Sequence, residues 1–293
     1  MVKINDKYRS NLFKWNLIMG FLHLAQGLFM ALISKESLTQ IKIWLPQVNP
    51  MERSFDLAPE NWYEINLGYT ISLFLFASAL AHFITIAPKI FDWYLDKLAL
   101  KVNLIRWFEY ALSSSIMVYV IAILCGINDG MLLFALVSLN ACMNLFGAIM
   151  EMHNSSLRQI SLMQQLKVSS SKKITVDLDE DKEFKPNWSS FIYGCFAGVV
   201  PWIIMAVYFF VSLDRLGNLE GLPQRVKDVL NTVRWIFPIL FVFFNLFAIN
   251  MYLQYSKFGK WKSYLFGEKT YIILSLVAKS FLAWFIWGGT LRG

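Results

Sequence analysis

The sequence predicts an all-α membrane protein, a bundle of seven transmembrane helices, from its composition, its long apolar runs and the distribution of its basic residues. Of the 293 residues, 57% are hydrophobic and only 16% are charged, and the mean hydropathy is +0.48. A soluble globular domain carries about 25% charged residues. The composition therefore excludes an ordinary soluble enzyme, a disordered chain and a disulfide-rich scaffold.

Seven apolar segments are each about 20 residues long or longer, enough for a helix to cross ~30 Å of hydrocarbon. Backbone groups in lipid must be satisfied internally, and a β-barrel would instead show alternating segments of ~10 residues. We therefore predict helices, and we treat the first segment as a span because no small-residue cleavage pattern follows it. The predicted spans are 15–34, 65–88, 104–126, 129–150, 188–212, 234–255 and 270–290.

The basic residues indicate how the bundle is oriented. Eighteen of the 27 lysines and arginines fall in the N-terminal segment and in the connections on its side, and eight fall on the opposite side. Basic residues favour the cytoplasmic side of a membrane. We therefore expect a cytoplasmic N-terminus and an external C-terminus. The net charge of +7 is attributed to this orientation, and no nucleic-acid partner is expected.

Two connections are long, and the whole chain, 1–293, is predicted to form a single domain. The external connection 35–64 contains the alternating stretch 40–45, which indicates a small β-hairpin. The cytoplasmic connection 151–187 is polar and contains the acidic run 177–181. This connection is either a solvated loop or a docking segment for a cytoplasmic signalling partner.

The chain has no sequence motif for catalysis or metal binding. Its cysteines, Cys125, Cys142 and Cys195, lie in or at the end of apolar segments, which is typical of small hydrophobic residues rather than of disulfides or metal ligands. Zinc motifs, phosphate-binding loops and nucleophile-elbow patterns are absent from the sequence. We therefore expect neither an enzyme nor a metal site.

Two ionisable residues, Lys279 and Glu109, are predicted to lie well inside the spans, with Glu109 as the only carboxylate there. A charge at the bilayer centre costs about 3 kcal/mol on insertion scales, so such residues usually face the bundle interior and pair. Counted from the same side, Lys279 lies about nine residues into its helix and Glu109 about five, or ~14 Å and ~7.5 Å. The lysine side chain can therefore lean toward Glu109.

The chemistry of a buried amine suggests a function for this pair. Burial favours the neutral, nucleophilic form of Lys279, and such an amine can condense with an aldehyde to form a Schiff base. The protonated product would need a counterion, which Glu109 can supply. Ser275 lies one turn before Lys279 on the same helix face. A purely structural ion pair is the alternative, and we favour a functional site.

His23, His82 and Arg106 are predicted to lie near Glu109. The histidines fall in the cytoplasmic halves of the first two helices, and Arg106 precedes Glu109 by three residues on the same helix face. A lone buried histidine is most often a hydrogen-bonded structural residue. Two histidines at similar depth beside a glutamate favour a linked network that accepts or relays a proton. The sequence leaves both interpretations open.

Short stretches in six of the helices, and two before the last helix, form a specific combination. They read FLHLAQ at 21–26, AHF at 81–83, RWFEY at 106–110, LSSS at 112–115, GCFAGVVPW at 194–202, FFN at 243–245, YLQY at 252–255, GKW at 259–261, GE at 267–268 and LSLVAKS at 274–280. Over nearly all seven spans, the chain resembles the heliorhodopsins, retinal-binding seven-helix proteins inverted relative to ordinary microbial rhodopsins. The orientation inferred from the basic residues agrees with this inversion.

The resemblance implies that all-trans retinal is covalently bound to Lys279 as a protonated Schiff base, with Glu109 as counterion and Ser275 beside the imine. His23 and His82 would belong to the network that takes up the proton after light. The resemblance also implies a homodimer. Around the chromophore it implies a set of lining residues, which are Ser113, Tyr110, Asn140, Met143, Trp202 and Phe244.

Three functions are compatible with the sequence. The favoured one is a light sensor, in which photoisomerisation drives loss of the Schiff-base proton and a conformational signal without ion pumping. A proton pump usually needs a second carboxylate beyond Glu109, and the stretch 119–122 contains none. The alternatives are a light-activated ion (proton) transporter or channel, and a transporter or receptor without a chromophore. In each case we expect an integral, multi-pass protein of the cell membrane, in contact with lipid.

Overall fold

A computed structural model of the chain describes residues 6–34, 38–49, 51, 53–168, 184–217 and 224–288. The acidic run 177–181, on which the docking-segment hypothesis depends, lies outside the described residues. The elements in chain order are α1 Asp6–Ile33, β1 Leu38–Asn49, β2 Ser54–Asn66, α2 Leu67–Ile86, α3 Ile90–Ala99, α4 Leu104–Leu124, α5 Gly130–Val168, α6 Ser189–Gly217, α7 Gln224–Tyr255, a 3-10 turn Gly259–Lys262 and α8 Tyr264–Ile286.

Seven of these helices are long and apolar enough to cross a membrane, which confirms the predicted number of spans. Local signals set their ends: the Asn66 and Asn103 side chains cap α2 and α4 by accepting hydrogen bonds from the backbone N–H groups of Tyr69 and Arg106, each at 3.2 Å. The span-length segments are Tyr8–Ile33, Leu67–Ile86, Leu104–Leu124, Gly130–Ile160, Ser189–Leu216, Arg234–Tyr255 and Tyr264–Ile286.

The short helix α3 was not predicted, because its ten residues were taken as part of the connection between the second and third spans. It is too short to cross a bilayer but is amphipathic, and its apolar face is buried against Leu12 and Tyr264. The exposed face carries Asp92, which pairs with Arg9 at 2.7 Å. This helix and the 259–262 turn mark one end of the bundle, called the α3 end below.

The β-hairpin predicted in the connection 35–64 is confirmed, and it is longer than the alternating stretch suggested. Strands β1 and β2 pair antiparallel from Leu38 opposite Asn66 to Asn49 opposite Ser54, with a bulge at Ile41 and Lys42. The Lys42 backbone N–H donates to the Asn128 carbonyl at 2.8 Å, which ties the hairpin to the α4–α5 connection. The hairpin marks the opposite end of the bundle, the hairpin end.

Helix α5 runs to Val168, so the helix continues well past residue 150, where the fourth span was predicted to end. Polarity rises after that residue, but the sequence keeps good helix formers and the helix continues. The Asn154 side chain explains part of this order, because it accepts from the Asn187 backbone N–H at 2.7 Å and donates to the Asn187 carbonyl at 3.1 Å. This pair holds α5 against the start of α6.

The largest apolar core lies toward the hairpin end, where α2, α4, α5, α6, α7 and α8 bury side chains such as Phe74, Leu133 and Leu282. Cys125 belongs to this core and is 3% exposed, so it behaves as a small hydrophobic residue. All three cysteines are free. Between this core and the α3 end, the buried side chains become polar.

Candidate functional site

Lys279, on α8, lies at the centre of a buried hydrogen-bonded group. Its Nζ donates to Glu109 Oε1 at 2.6 Å, to Ser78 Oγ at 2.6 Å and to Ser275 Oγ at 2.9 Å. The lysine side chain is 3% exposed and that of Glu109 9%. Helices α2, α4 and α8 therefore converge on one amine, and its positive charge faces a carboxylate rather than lipid.

Ser78 is a member of this group that sequence reasoning missed. Its Oγ also donates to Glu109 Oε1 at 2.6 Å, so the hydroxyl contacts both members of the ion pair. A serine is uncharged, so its presence in an apolar helix does not indicate whether the side chain is buried or how deep in the membrane it lies. The available signal was its position one turn before His82 on α2.

Ser113 and Tyr110 extend the site along α4. Ser113 is fully buried one turn after Glu109. Tyr110 places its ring centroid 5.4 Å from Lys279 Nζ and donates its hydroxyl to the Tyr271 carbonyl at 3.0 Å. The hydrogen bond to α8 fixes the ring beside the amine, where its face can stabilise a positive charge.

His23 and His82 lie together, but neither donates to or accepts from the Lys279–Glu109 pair in the described part of the chain. Their rings stack with centroids 5.6 Å apart and planes 12° apart. His82 Nδ1 is 2.8 Å from Asn16 Oδ1, whereas the buried ring nitrogens of His23 have no hydrogen-bond partner among the described residues. The histidines form a second polar layer beside the amine.

A polar cavity of about 40 Å³ lies between this site and the α3 end, large enough for a few water molecules. Burial raises the pKa of the Tyr94 phenol in its wall well above the usual value, so Tyr94 remains a neutral donor. The cavity offers polar contacts to water next to Glu109. Its polar lining consists of Asn16, Ser78, His82, Thr85, Tyr94, Asn103, Arg106, Glu109, Tyr110, Glu268 and Ser275.

Arg106 lies in a different ionic cluster from Lys279, and two further carboxylates lie with it. It forms ion pairs with Glu151 and Glu268, and all three side chains are almost fully buried. The Asn103 backbone N–H donates to Glu151 Oε2 and its side-chain amide donates to Glu268 Oε2, each at 2.8 Å. We call Arg106, Glu151, Glu268 and Asn103 the Arg106 cluster.

The Arg106 cluster corrects the prediction that Glu109 is the only carboxylate well inside a span. Glu151 and Glu268 both lie within span-length helices. The predicted spans ended too early in α5 and began too late in α8, which placed these two carboxylates in connections. Arg106 also stacks on Tyr271, with 4.0 Å from its Cζ to the ring centroid, so the cluster is enclosed by aromatic rings.

An apolar cavity of about 240 Å³ opens on the other side of Tyr110. Four of the predicted lining residues, Tyr110, Met143, Trp202 and Phe244, contribute to its wall. Asn140 does not, because its side-chain amide donates to Ser114 and Ser115; Asn144, one turn later, lines the cavity instead. The other lining residues are Trp107, Gly147, Ser190, Phe191, Gly194, Cys195, Gly198, Val199, Phe241, Asn245, Phe247, Ala248 and Met251.

Glycines keep this cavity open. A Cβ atom on Gly147 would lie 2.3 Å from Cζ3 of Trp107, and one on Gly198 would lie 2.3 Å from Sδ of Met143. Both contacts are far inside van der Waals distance, so larger residues would push neighbouring side chains into the space. The amine, its carboxylate partner and an aromatic-lined apolar cavity therefore meet at Tyr110, an arrangement that suits an elongated apolar aldehyde such as retinal.

Comparison with protein families adds an independent observation. The model of the family described as Heliorhodopsin matches residues 12–291, a range that contains every site residue named above. No curated protein matches the chain. The family match and the seven span-length helices together show an integral, multi-pass membrane protein.

Proposed function

The chain belongs to the heliorhodopsin family, and we propose that it is a light sensor that binds all-trans retinal covalently through Lys279. Heliorhodopsins are retinal-binding, light-responsive membrane proteins. The observation that carries the proposal is the buried Lys279 amine, 2.6 Å from Glu109 and beside the ring of Tyr110, which lines the apolar cavity. When bound as a Schiff base, retinal supplies absorption of visible light and a change of shape.

The residues around Lys279 Nζ are suited to holding and releasing a proton. Glu109 balances the positive charge at this nitrogen, and Ser275 fixes its direction through a hydrogen bond. Ser78 contacts both nitrogen and carboxylate, so a small movement of the nitrogen changes two hydrogen bonds at once. The adjoining polar cavity, lined by His82 and Arg106, gives the proton polar surroundings toward the α3 end.

The half of α4 that lies toward the β-hairpin is apolar, and this supports sensing over pumping. After Ser115, the buried residues of this helix are Met117, Val118, Val120, Ile121 and Ala122, with no carboxylate or histidine among them. A proton released at Lys279 therefore meets polar groups toward the α3 end and a packed core toward the hairpin end. We propose that the α3 end faces the cytoplasm and that a signalling partner binds there.

Exposed apolar residues on the hairpin support the further proposal that the protein is a homodimer. Trp44, Val48, Phe55 and Leu57 are each at least half exposed. Such a group of exposed side chains is typical of an association surface. Chemical cross-linking of the purified protein, compared with a Val48→Lys, Phe55→Lys variant, would test it: a dimer band that is unchanged in the variant contradicts this surface.

Replacing Glu109 by glutamine separates sensing from transport. We expect the parent protein to form a long-lived photoproduct without a steady current under voltage clamp, and Glu109→Gln to move the visible band because the charge at Nζ loses its partner. The exposed Glu60→Gln variant is the control and should match the parent. Light-activated proton transport, which the polar cavity favours, predicts instead a steady photocurrent in the parent that Glu109→Gln abolishes.

Enlarging Gly147 tests the apolar cavity. The Cβ atom of Gly147→Ala displaces the Trp107 ring, and overpacking of this kind costs about 1–3 kcal/mol, so we expect retinal loading to fall about tenfold at limiting retinal. The ratio of visible to protein absorbance measures loading. Gly288→Ala is the control, since its Cβ meets no atom within 4 Å. Equal loading in both variants would mean that retinal does not occupy this cavity.

A further inference from the structure

Two asparagines, Asn144 on α5 and Asn245 on α7, place amide groups in the wall of the apolar cavity, and neither takes part in the proposed chemistry at Lys279. Each lies about midway along its span-length segment, Gly130–Ile160 or Arg234–Tyr255. At this depth there is no bulk water to bond, so an unpaired polar group is costly. The amides therefore need partners from the protein or from a molecule in the cavity.

The side-chain nitrogens of both residues already have partners. Asn144 Nδ2 donates to Ser114 Oγ at 3.0 Å and to the Asn140 carbonyl at 2.9 Å. Asn245 Nδ2 donates at 2.8 Å to the carbonyl of Phe241, one turn earlier on the same helix. A backbone carbonyl can only accept a hydrogen bond, so these contacts determine which end of each amide is nitrogen and which is oxygen.

The side-chain oxygens of the two asparagines are the atoms without partners. Neither Oδ1 accepts a hydrogen bond from a residue in the part of the chain that the structure describes. Asn144 is only 5% exposed, so bulk water does not serve its oxygen. Two acceptors are therefore available in the wall of one cavity, and a complementary ligand must bring an O–H or N–H group.

An unsubstituted retinal cannot satisfy these oxygens. Apart from its aldehyde group the molecule is a hydrocarbon, and the aldehyde is used in the proposed bond to Lys279. Sites with buried polar groups discriminate against ligands that leave those groups unpaired. A hydroxyl group on the ring, the end of the molecule remote from the aldehyde, can donate to an amide oxygen. A water molecule between the amides is the alternative, and it would make the cavity indifferent to substitution of the ring.

We propose that Asn144 and Asn245 are specificity-determining residues, and that the cavity selects a form of all-trans retinal with a hydroxyl group on its ring. This inference rests on the proposed attachment of retinal to Lys279. The hydroxyl group donates to the asparagine oxygens, while aromatic residues of the wall such as Trp202 and Phe244 pack against the hydrocarbon. The two asparagines select the chromophore and leave the proton step to the residues around Lys279.

Competition between aldehydes for the full-length protein, produced without retinal and purified in detergent, tests this selection. The protein receives a limiting equimolar mixture of all-trans-retinal with either 3-hydroxyretinal or 4-hydroxyretinal, and the bound chromophores are extracted and quantified by chromatography. The readout is the ratio of hydroxylated to plain chromophore, which does not depend on the fraction of folded protein. For at least one alcohol, we expect the parent's ratio to exceed that of the Asn144→Leu, Asn245→Leu variant about fivefold, the effect of one hydrogen bond.

Two further variants make the comparison specific. Asn245→Leu alone serves if the double variant does not fold, because the described contact of its amide lies within its own helix, and its ratio should fall as well. Gln26→Leu is the matched control. Its amide also donates to a carbonyl one turn earlier on its own helix, that of Leu22, but it does not line the cavity. The ratio in Gln26→Leu should stay within about twofold of the parent.

A methoxy analogue separates hydrogen bonding from space. In the parent, 3-methoxyretinal keeps the ring oxygen but has no O–H group to donate, so it should not be enriched over retinal. Enrichment equal to that of the alcohols would overturn the proposal, as would equal ratios in the parent and the double variant for both alcohols. A parent that takes up no aldehyde at all contradicts the attachment of retinal itself. Equal uptake of plain and hydroxylated retinal contradicts only the selection.

Discussion

Lys279→Ala protein is expected to stay colourless when it is expressed with all-trans retinal, whereas the parent should absorb visible light. The substitution removes the amine that lies beside Tyr110 in the cavity wall, and the described residues of that wall include no lysine. The measurement is the visible absorption spectrum of purified protein. Lys269→Ala, on the same helix, is the matched control and should keep the band.

Loss of colour in Lys279→Ala must be separated from loss of the fold. The variant leaves the Glu109 carboxylate buried without its cation, and an unpaired buried charge costs about 3–5 kcal/mol. We therefore include Lys279→Ala, Glu109→Gln, in which neither charge remains and the stability should recover. If this folded double variant, or Lys279→Ala itself, shows the visible band, retinal is attached elsewhere.

Arg106→Met is expected to destabilise the protein by about 3–5 kcal/mol, because Glu151 and Glu268 lose the cation between them. For a domain of this size that corresponds to a fall in Tm on the order of 10 °C. The measurement is thermal unfolding in detergent, followed by tryptophan fluorescence. The three partners come from α4, α5 and α8, so the loss should loosen the whole α3 end.

Two further variants show whether unpaired buried charge is the cause of the destabilisation in Arg106→Met. Arg9→Met removes the exposed pair with Asp92 and should cost at most about 1 kcal/mol. Adding Glu151→Gln and Glu268→Gln to Arg106→Met removes the stranded charges and should restore most of the lost stability. A triple variant no more stable than Arg106→Met would mean that packing, not charge pairing, dominates the cluster.

Hydropathy was sufficient to predict the seven spans, because a bilayer imposes a length and an apolar character that are visible in sequence. Depth counted along two helices was sufficient to bring Lys279 and Glu109 to neighbouring levels. The element that hydropathy could not predict is α3, because a ten-residue amphipathic helix has no apolar run. The apolar face of α3 can be recognised as a buried surface only when the end of the bundle against which it packs is known.

The polar parts of the site were predicted less well, for physical reasons. Ser78 carries no charge, so its burial leaves no anomaly in the sequence. Glu268 lies in the first turns of α8, and Glu151 follows the most apolar part of α5, so the sequence alone places both equally well in water. Their burial is energetically acceptable because Arg106, on a third helix, lies between the two carboxylates. Contacts between such distant segments cannot be predicted from one sequence.

The reciprocal amide pair between Asn154 and Asn187 has a consequence for how the chain tolerates change. It joins the interior of α5 to the segment just before α6, so the packing of these two helices does not depend on the length of the connection that follows α5. The entropy of closing a loop grows only slowly with its length. Insertions and deletions after the end of α5 can therefore accumulate during evolution while the geometry around Lys279 is preserved.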